Sequence, residues 1–251
     1  MSKAIPKELL VVLAAYNDEK LLKFAIDSII RQSYKNWKLV LVDDGSNDKT
    51  LTIMNAYKKY RKVEIIINKK RIGLTKCLNK VITKNKNALI ARMDADDISS
   101  TKRFEKQINF LHKNKDISLL GTNANYYNES NKYIGKSNLP NKDNEIKQLL
   151  NKKNPFIHSS VVFKKSFFNE LKGYNEFFFN AQDYDLWLRG RKKFKYAILR
   201  DRLIKHRIKS NITIKKKIYG LLAMILNLKL EKNLLISLSW ILMTFIIMIF
   251  K

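Results

Sequence analysis

Short uninterrupted apolar runs alternate, in the first part of the chain, with segments whose apolar positions recur every three or four residues. Runs of the first kind are typical of strands buried on both faces, and segments of the second kind are typical of amphipathic helices. The pattern predicts strands at Leu9–Ala14, Lys38–Asp43, Val63–Ile67 and Ala88–Met93. It predicts three helices, of which the first is capped by Asn17 or Asp18 and the others lie at Thr50–Tyr60 and Leu74–Ile82. Strands that alternate with helices indicate an α/β fold with a mainly parallel central sheet.

The second part of the chain has a less regular pattern. It predicts a helix from Thr101 to about His112, strands at Ile117–Thr122 and Val161–Phe163, and a helix at Asp183–Lys193. Residues 123–155 are dominated by Asn and Lys and lack a clear period, so we expect a variable, partly looped region there.

Three polar clusters follow predicted strands directly. Because ligands of parallel α/β sheets bind beyond the carboxyl ends of the strands, these clusters indicate one shared site. The clusters are Tyr16-Asn17-Asp18, Asp43-Asp44-Gly45-Ser46 and Asp94-Ala95-Asp96-Asp97.

The last of these clusters contains a D-x-D motif, formed by Asp94 and Asp96. Two carboxylates at this spacing can converge on one hard cation, and Mg²⁺ or Mn²⁺ prefers oxygen ligands and leaves room for phosphate oxygens. Such an ion neutralises a diphosphate leaving group as a Lewis acid. The alternative is a solvated turn with a helix cap at Asp97 or Ser99.

The cluster at Asp43 and Asp44 also has two interpretations. Asp-Gly is a common turn sequence, so the segment fits an ordinary loop after a strand. A carboxylate at a strand end can also accept hydrogen bonds from a nucleobase or ribose. The chain has no G-x-G-x-x-G after the first strand and no G-x-x-x-x-G-K-[ST], which argues against a dinucleotide dehydrogenase and a P-loop ATPase.

Two further residues carry candidate chemistry. Asp183 lies where a helix is predicted to start, so it is either an N-cap or a general base that takes a proton from an attacking hydroxyl. His158 is either a core residue or a contact of a diphosphate. No histidine has the ligand spacing of a zinc site.

The net charge indicates which classes of molecule the protein binds, and the cysteine content bears on its chemistry. The 251 residues carry a formal net charge of +28, which attracts phosphate groups. The alternative is a solvated lysine surface that reflects a biased composition. No helix-turn-helix, zinc finger or aromatic RNA-binding motif is visible, so no nucleic-acid partner is expected. The single cysteine, Cys77, lies in an apolar helical pattern and is predicted to be a small core residue.

The last part of the sequence predicts membrane association. Ile214–Lys232 mixes Lys with large apolar residues, as a basic amphipathic helix does, and Leu234–Phe250 is almost wholly apolar. A single membrane span, a shallow interfacial anchor and a dimerisation helix all fit the second segment. The chain lacks a signal-peptide pattern, and Lys and Arg precede the apolar segment, so we expect the protein at the cytoplasmic face of the inner membrane.

The motifs together, in this order, closely resemble those of family-2 glycosyltransferases of the GT-A fold. The resemblance covers residues 9–210 and includes Val11-Val12-Leu13-Ala14-Ala15-Tyr16-Asn17, Leu41-Val42-Asp43-Asp44-Gly45-Ser46, Arg71-Ile72-Gly73-Leu74, Leu78-Asn79, Ala91-Arg92-Met93-Asp94-Ala95-Asp96-Asp97, Arg103 with Gln107, and Gln182-Asp183-Tyr184-Asp185-Leu186-Trp187-Leu188-Arg189. It implies a GT-A domain at residues 1–213, followed by a membrane-associating tail of hydrophobic and amphipathic helices at residues 214–251.

The resemblance also implies an activity and a site. The activity is inverting transfer of a hexosyl or N-acetylhexosaminyl group from a nucleotide-sugar, most often a UDP-sugar, to a hydroxyl of a glycan or lipid-linked acceptor in surface polysaccharide or lipopolysaccharide synthesis. Asp183 would be the base, and Asp94 and Asp96 would hold the nucleotide and a Mn²⁺ or Mg²⁺ ion. The base and ribose pocket would include Ala14, Tyr16, Asp44 and Arg71.

The sequence departs from the family pattern at three positions. Ala15 stands where the family usually has Pro, and Gln182 stands where it often has Glu. Lys209 occupies the position of a family histidine, and it could meet the diphosphate as a cation instead. His158, Gln182 and Lys209 are therefore expected to contact the diphosphate or the acceptor.

Two other functions compete with this one. A related enzyme could load a sugar onto polyprenyl phosphate. A non-enzymatic, basic membrane-binding protein could use a degenerate version of the fold. The acidic residues at Asp44, Asp96 and Asp183 argue against degeneration.

Overall fold

The computed structural model describes residues 8–208 and 214–232. Its strands are β1 (Leu9–Ala15), β2 (Trp37–Asp43), β3 (Val63–Ile67), β4 (Leu89–Met93), β5 (Ile98–Ser99), β6 (Ile117–Tyr127), β7 (Tyr133–Lys136), β8 (Val162–Lys164) and β9 (Lys195–Arg207). Its helices are α1 (Leu22–Ile30), α2 (Thr50–Asn55), α3 (Leu74–Lys84), α4 (Arg103–Lys113), α5 (Asp143–Leu150), α6 (Lys165–Glu170), α7 (Gln182–Gly190) and α8 (Ile214–Lys232), with a 3₁₀ turn at His158–Ser160.

The strands form one sheet in the order β3-β2-β1-β4-β8-β6-β9-β5, and β7 pairs with β6 outside this path. The strands from β3 to β4 are parallel, whereas β8 runs antiparallel to both of its neighbours. Beyond β8, β6 and β9 are parallel and β5 is antiparallel to β9. The predicted α/β fold is confirmed, with a sheet that is parallel in its first half and mixed in its second.

The first apolar run of the sequence forms β1, which is buried on both faces of the sheet. Its residues Leu9 to Leu13 have no exposed surface. Leu10 and Val12 pack on one face of the sheet, with α3 and α7, and Leu9, Val11 and Leu13 pack on the other, with α1 and α4. Side chains of a strand alternate between faces, so both faces of β1 need apolar residues.

Residues 123–155 are more ordered than the sequence pattern predicts. The region is partly looped, as expected, but β6 continues to Tyr127 and is followed by β7 and α5. Polar residues are buried here through hydrogen bonds: Asn123 Oδ1 accepts from Ser137 Oγ at 2.6 Å and from Leu139 N at 2.9 Å. Strand β9 was also not predicted, and the helix predicted at Thr50–Tyr60 ends at Asn55.

Helix α8 coincides with the predicted basic helix and packs against α7. Leu222 and Ala223 are buried there, and Asn227 Nδ2 donates to Asp185 Oδ1 of α7 at 3.2 Å. Within residues 8–208 and 214–232, no helix is long and apolar enough to cross a bilayer. The apolar segment Leu234–Phe250 lies outside the described residues, and the domain boundary after residue 213 stays a prediction.

Candidate functional site

The carboxyl ends of β1 and β2 form one wall of the candidate site. The loop after β2 is tied to β1 and to the loop after β1, because Asp44 N donates to Ala15 O at 2.9 Å and Asn17 N donates to Ser46 Oγ at 3.1 Å. The predicted clusters at the ends of these two strands are therefore adjacent in space.

Asp44 is buried and organises the loop that follows β3. Its Oδ1 accepts hydrogen bonds from Asn68 Nδ2 at 3.0 Å and from Ile72 N at 2.9 Å, and its Oδ2 accepts from Gly73 N at 2.8 Å. Hydrogen bonds to a carboxylate are stronger than those between neutral groups. Asp44 therefore fixes the backbone on the C-terminal side of Arg71.

Arg71 and Tyr16 form the rim of the same wall. The guanidinium carbon of Arg71 lies 4.1 Å from the centroid of the Tyr16 ring, as in a cation–π contact. Ala14, partly buried at the end of β1, lies in the same wall. Gly45 has φ +75°, and a Cβ at this position would lie 2.8 Å from Arg71 N, so the close approach of the two loops requires glycine.

Asp94 follows β4 and is held by two partners. It forms an ion pair with Arg92, and its Oδ2 accepts from Ser159 Oγ at 2.6 Å. Burial by itself raises the pKa of this carboxyl group, but the charge of Arg92, together with the nearby histidines and the hydrogen bond from Ser159, outweighs burial and holds the pKa of Asp94 well below its usual range. Asp94 is therefore ionised at neutral pH and tied to the 3₁₀ turn.

Asp96 lies at a cavity of about 190 Å³. The other residues that line this cavity are Leu21, Phe24, Ile98, Glu129, Asn131 and Arg207. Arg207 Nη1 donates to Asn128 O at 2.8 Å and to Glu129 O at 2.9 Å, so the end of β9 holds the β6–β7 hairpin beside Asp96.

Asp97 has a different role from the helix cap that was one alternative for it. It is fully buried, and its carboxylate contacts His206 Nδ1 at 2.9 Å and accepts from Arg207 N at 2.8 Å. Burial lowers the pKa of His206, but the hydrogen bond and the charge of Asp97 outweigh it and raise that pKa. Asp97 thus joins the D-x-D turn to β9, which the sequence pattern did not reveal.

The residues at the D-x-D turn fit a divalent cation by their donor chemistry. Asp94 and Asp96 offer hard oxygen ligands, and Asp96 borders an open cavity in which phosphate oxygens and water can complete the coordination. Asp94 is also held by Arg92 and Ser159, which fix its carboxylate at the end of β4. In the described part of the chain, no three His, Cys, Asp or Glu side chains converge as a complete protein-only metal site.

Asp183 lies in the first turn of α7, with only 9% of its surface exposed. The residue at the N-cap position is Ala181, with φ +60°, so the interpretation of Asp183 as the N-cap is wrong. Asn154 Nδ2 donates to Asp183 Oδ2 at 2.8 Å. Gln182, at the start of the same helix, is buried beside it.

His158 lies in the 3₁₀ turn, directly before Ser159, which binds Asp94. Its Nε2 is 3.1 Å from the hydroxyl of Tyr174. Burial, and then the charge of Arg92, lower the pKa of His158 to about 4, while the charges of Asp183 and Asp94 act against this shift. His158 is therefore neutral at pH 7 and close to both carboxylates.

Two polar pairs, one of them fully buried, support this arrangement. Arg103 donates to Gln107 Oε1 at 3.0 Å and to the backbone of β4 at Arg92 O at 3.0 Å. Gln107 Nε2 then donates to Ser160 O at 2.8 Å, which fixes the 3₁₀ turn next to β4. The side chain of Asn79 binds both backbone groups of Tyr174: Asn79 Nδ2 donates to Tyr174 O at 2.9 Å, and Tyr174 N donates to Asn79 Oδ1 at 3.0 Å.

Asn154 and Tyr174 were not predicted as site residues, because their partners are 29 and 16 residues away along the chain and no local spacing reveals such contacts. Lys209 lies outside the described residues. Cys77 is buried, and burial followed by the charge of Asp44 raises its pKa to about 12, which confirms a core residue rather than a nucleophile.

Comparison with known proteins identifies relatives of one kind. The model of the family described as "Glycosyl transferase family 2" matches residues 10–172. The chain is 35% identical over 192 residues to the O-antigen biosynthesis glycosyltransferase WbnJ of Escherichia coli, which covers 75% of this chain and 74% of the relative. It is 36% identical over 183 residues to the putative glycosyltransferase EpsE of Bacillus subtilis, which covers 71% of this chain and 65% of the relative. The amylovoran biosynthesis glycosyltransferase AmsE of Erwinia amylovora is 33% identical over 182 residues, covering 71% of this chain and 68% of the relative.

Solved structures match the same fold. S. aureus TarS 1-349 in complex with UDP matches with a TM-score of 0.69 and 14% identity, over 88% of this chain and 65% of that chain. The mannosyltransferase PcManGT from Pyrobaculum calidifontis, in complex with GDP-Man and Mn²⁺, matches with a TM-score of 0.67 and 14% identity, over 88% of this chain and 64% of that chain. The predicted GT-A fold is thereby confirmed. This chain spans about two thirds of the length of these solved chains.

Proposed function

The chain belongs to glycosyl transferase family 2, and we propose that it is an inverting transferase that uses a nucleotide-sugar, a UDP-sugar in particular. The acceptor in this proposal is a hydroxyl of a growing glycan or of a lipid-linked glycan in cell-surface polysaccharide synthesis. Relatives named for O-antigen and amylovoran biosynthesis favour this acceptor class. A non-enzymatic binding protein is disfavoured by the same family membership.

The wall formed by the ends of β1 and β2 suits a nucleoside. In the proposal, the base lies against Tyr16, Arg71 and Ala14 and donates its imide N–H to Asp44. A carboxylate has about four acceptor sites, so Asp44 can accept from the base in addition to its three loop donors. TarS, which has this fold, has been solved with UDP and with UDP-GlcNAc, which favours a uracil base.

Asp96 and Asp94 would hold a divalent cation, Mn²⁺ or Mg²⁺, together with the donor diphosphate. Such an ion neutralises the charge that develops on the departing nucleoside diphosphate. PcManGT has been solved with GDP-Man and Mn²⁺, which favours this cofactor. Lys209 would add a positive charge near the diphosphate, and His158 and Gln182 would contact the diphosphate or the acceptor.

Asp183 is the proposed base, and one observation carries this assignment. Asn154 Nδ2 donates to Asp183 Oδ2 at 2.8 Å and Ser159 Oγ donates to Asp94 Oδ2 at 2.6 Å, so the short segment from Asn154 to Ser159 contacts both carboxylates. The acceptor oxygen attacks the anomeric carbon from the face opposite the diphosphate, and Asp183 takes the proton of that hydroxyl. The bond from the anomeric carbon to the diphosphate oxygen breaks as the new glycosidic bond forms. Configuration inverts in this single displacement.

The expected location is the cytoplasmic face of the inner membrane, where lipid-linked acceptors lie. The net charge of +28 favours an anionic membrane surface, since each basic residue near such a surface adds about 1 kcal/mol of attraction.

The donor assignment can be tested by thermal shift and donor hydrolysis with UDP-, GDP- and dTDP-sugars, with and without Mn²⁺. We expect one UDP-sugar to stabilise the protein in a Mn²⁺-dependent way, and Asp96→Asn to abolish that stabilisation. A folded sample that responds to none of these nucleotides would contradict the donor site.

A further inference from the structure

Asn154 lies between α5 and the 3₁₀ turn, and its side-chain amide is fixed at both ends. Its Oδ1 accepts a hydrogen bond from Phe156 N at 3.0 Å, which orients the amide so that Nδ2 donates to Asp183 Oδ2 at 2.8 Å. The ring of Phe156 is buried against Trp187 of α7, with centroids 5.8 Å apart. The amide is therefore held in a defined orientation relative to the helix that carries Asp183.

The carboxylate of Asp183 needs such a partner to have a fixed plane. The terminal torsion of an aspartate side chain has a broad energy profile, so the rotamer alone does not set the orientation of the two oxygens. The other groups that face Asp183 and could titrate are His158, in the 3₁₀ turn, and Tyr174, in the loop before α7. His158 Nε2 and the Tyr174 hydroxyl contact each other at 3.1 Å.

We propose that Asn154 is a positioning residue that aims Asp183 at the acceptor hydroxyl, an inference that rests on the proposed role of Asp183 as the base. The amide holds Oδ2 and leaves Oδ1 as the oxygen that takes the proton. A general base must bring one lone pair within hydrogen-bond reach of the proton it removes, so the orientation of the carboxylate plane governs the rate of the chemical step. Asn154 itself touches neither the donor nor the proton.

The test compares Asn154→Ala and Asn154→Asp with the unmodified full chain in a transfer assay. Asn154→Ala is expected to lower kcat roughly 10- to 100-fold, the effect of losing a hydrogen bond to a charged group, and to leave the KM for the nucleotide-sugar unchanged. Asn154→Asp places a second carboxylate against Asp183. Because two facing carboxylates share one proton, the acidic limb of the kcat profile is expected to move to higher pH.

Asn151→Asp is the matched control, because it makes the same chemical change on an exposed side chain three positions away. It is expected to have the kcat and the pH profile of the unmodified protein. A wild-type kcat for Asn154→Ala, or a profile for Asn154→Asp that superimposes on that of the unmodified protein, would overturn the proposal. The proposal would also be overturned if the lower activity of Asn154→Ala were explained wholly by weaker binding of the donor or by a lower thermal midpoint of unfolding.

Asp183→Asn, measured alongside, separates this proposal from the proposed function. If Asp183→Asn is inactive while both Asn154 variants behave as wild type, the transferase mechanism stands and the positioning role fails. If Asp183→Asn retains full transfer, the base assignment fails and the positioning role fails with it.

Discussion

The carboxylate of Asp44 offers the sharpest perturbation of the wall formed by the carboxyl ends of β1 and β2. Asp44→Asn keeps the shape of the side chain but leaves one acceptor oxygen in place of two. If that oxygen takes the position of Oδ1, it still accepts hydrogen bonds from Asn68 Nδ2 and Ile72 N. The new NH₂ group then takes the position of Oδ2, which in the native protein accepts a hydrogen bond from Gly73 N at 2.8 Å. Two donors then face each other across this contact, and the negative charge is lost.

The expected cost follows from that single contact. Loss of a hydrogen bond to a charged group costs about 1.5–3 kcal/mol, so we expect the free energy of unfolding to fall by about 2 kcal/mol. For a domain of this size, that change lowers Tm by about 4–8 °C. Because Ile72 and Gly73 directly follow Arg71, the contact of Arg71 with Tyr16 should loosen, and the affinity for UDP should fall.

Urea denaturation and calorimetric titration with UDP measure the two effects. Asp116→Asn is the matched control, since Asp116 is exposed on the surface and paired with Lys195, and its denaturation midpoint and UDP affinity should equal those of the unmodified protein. If Asp44→Asn unfolded at the same urea concentration as the unmodified protein and bound UDP as tightly, the role assigned to Asp44 in the loop would be refuted.

Three further predictions concern other parts of the site and of the fold. Gly45→Ala should weaken UDP binding in titration calorimetry, because its Cβ meets Arg71 N at 2.8 Å, whereas Gly220→Ala in α8 has open space and should leave binding unchanged. The pKa of His158 is lowered from 6.5 to about 4, so its contribution to the free energy of unfolding is complete above pH 6.5 and is lost as the pH falls to 4. His158→Gln should therefore make the denaturation midpoint depend less on pH between 6.5 and 4. The same pH dependence in this variant as in the unmodified protein would contradict the burial of a neutral imidazole. Asn227→Ala removes a hydrogen bond to Asp185 and should speed amide hydrogen exchange in α8 while exchange in β1 stays as in the unmodified protein.

The parallel half of the sheet was predictable because burial on both faces leaves a direct signal in the sequence. The bounds predicted for β3 match those of the structure, and the other three parallel strands differ by one residue at one end. The mixed half was harder to predict, because its strands contain both exposed and buried polar residues. Strand β9 illustrates this difficulty: its apolar run at residues 196–199 is only four residues long and is followed by Arg200, Asp201 and Arg202, which are exposed.

The residues of the candidate site also differ in how far the sequence predicts them. Asp44, Asp94 and Asp96 were predicted because each follows a strand end directly, where local spacing carries the information. Asn154, which contacts Asp183, was not predicted as a site residue, and the contact of Asp97 with His206 was not predicted either, since in both cases the partner is far away in the sequence. Long-range contacts of single polar residues have no period and no motif, and only the folded chain reveals them.

The base assignment of Asp183 is the central claim, and a comparison of binding with transfer in Asp183→Asn tests it most directly. The asparagine keeps the size of the side chain but cannot take a proton at neutral pH. We predict that the variant binds the nucleotide-sugar as tightly as the unmodified protein and has lost transfer to the acceptor by at least about 10²-fold, the lower range for removal of a general base. Transfer at the wild-type rate by a variant that binds donor normally would contradict the account.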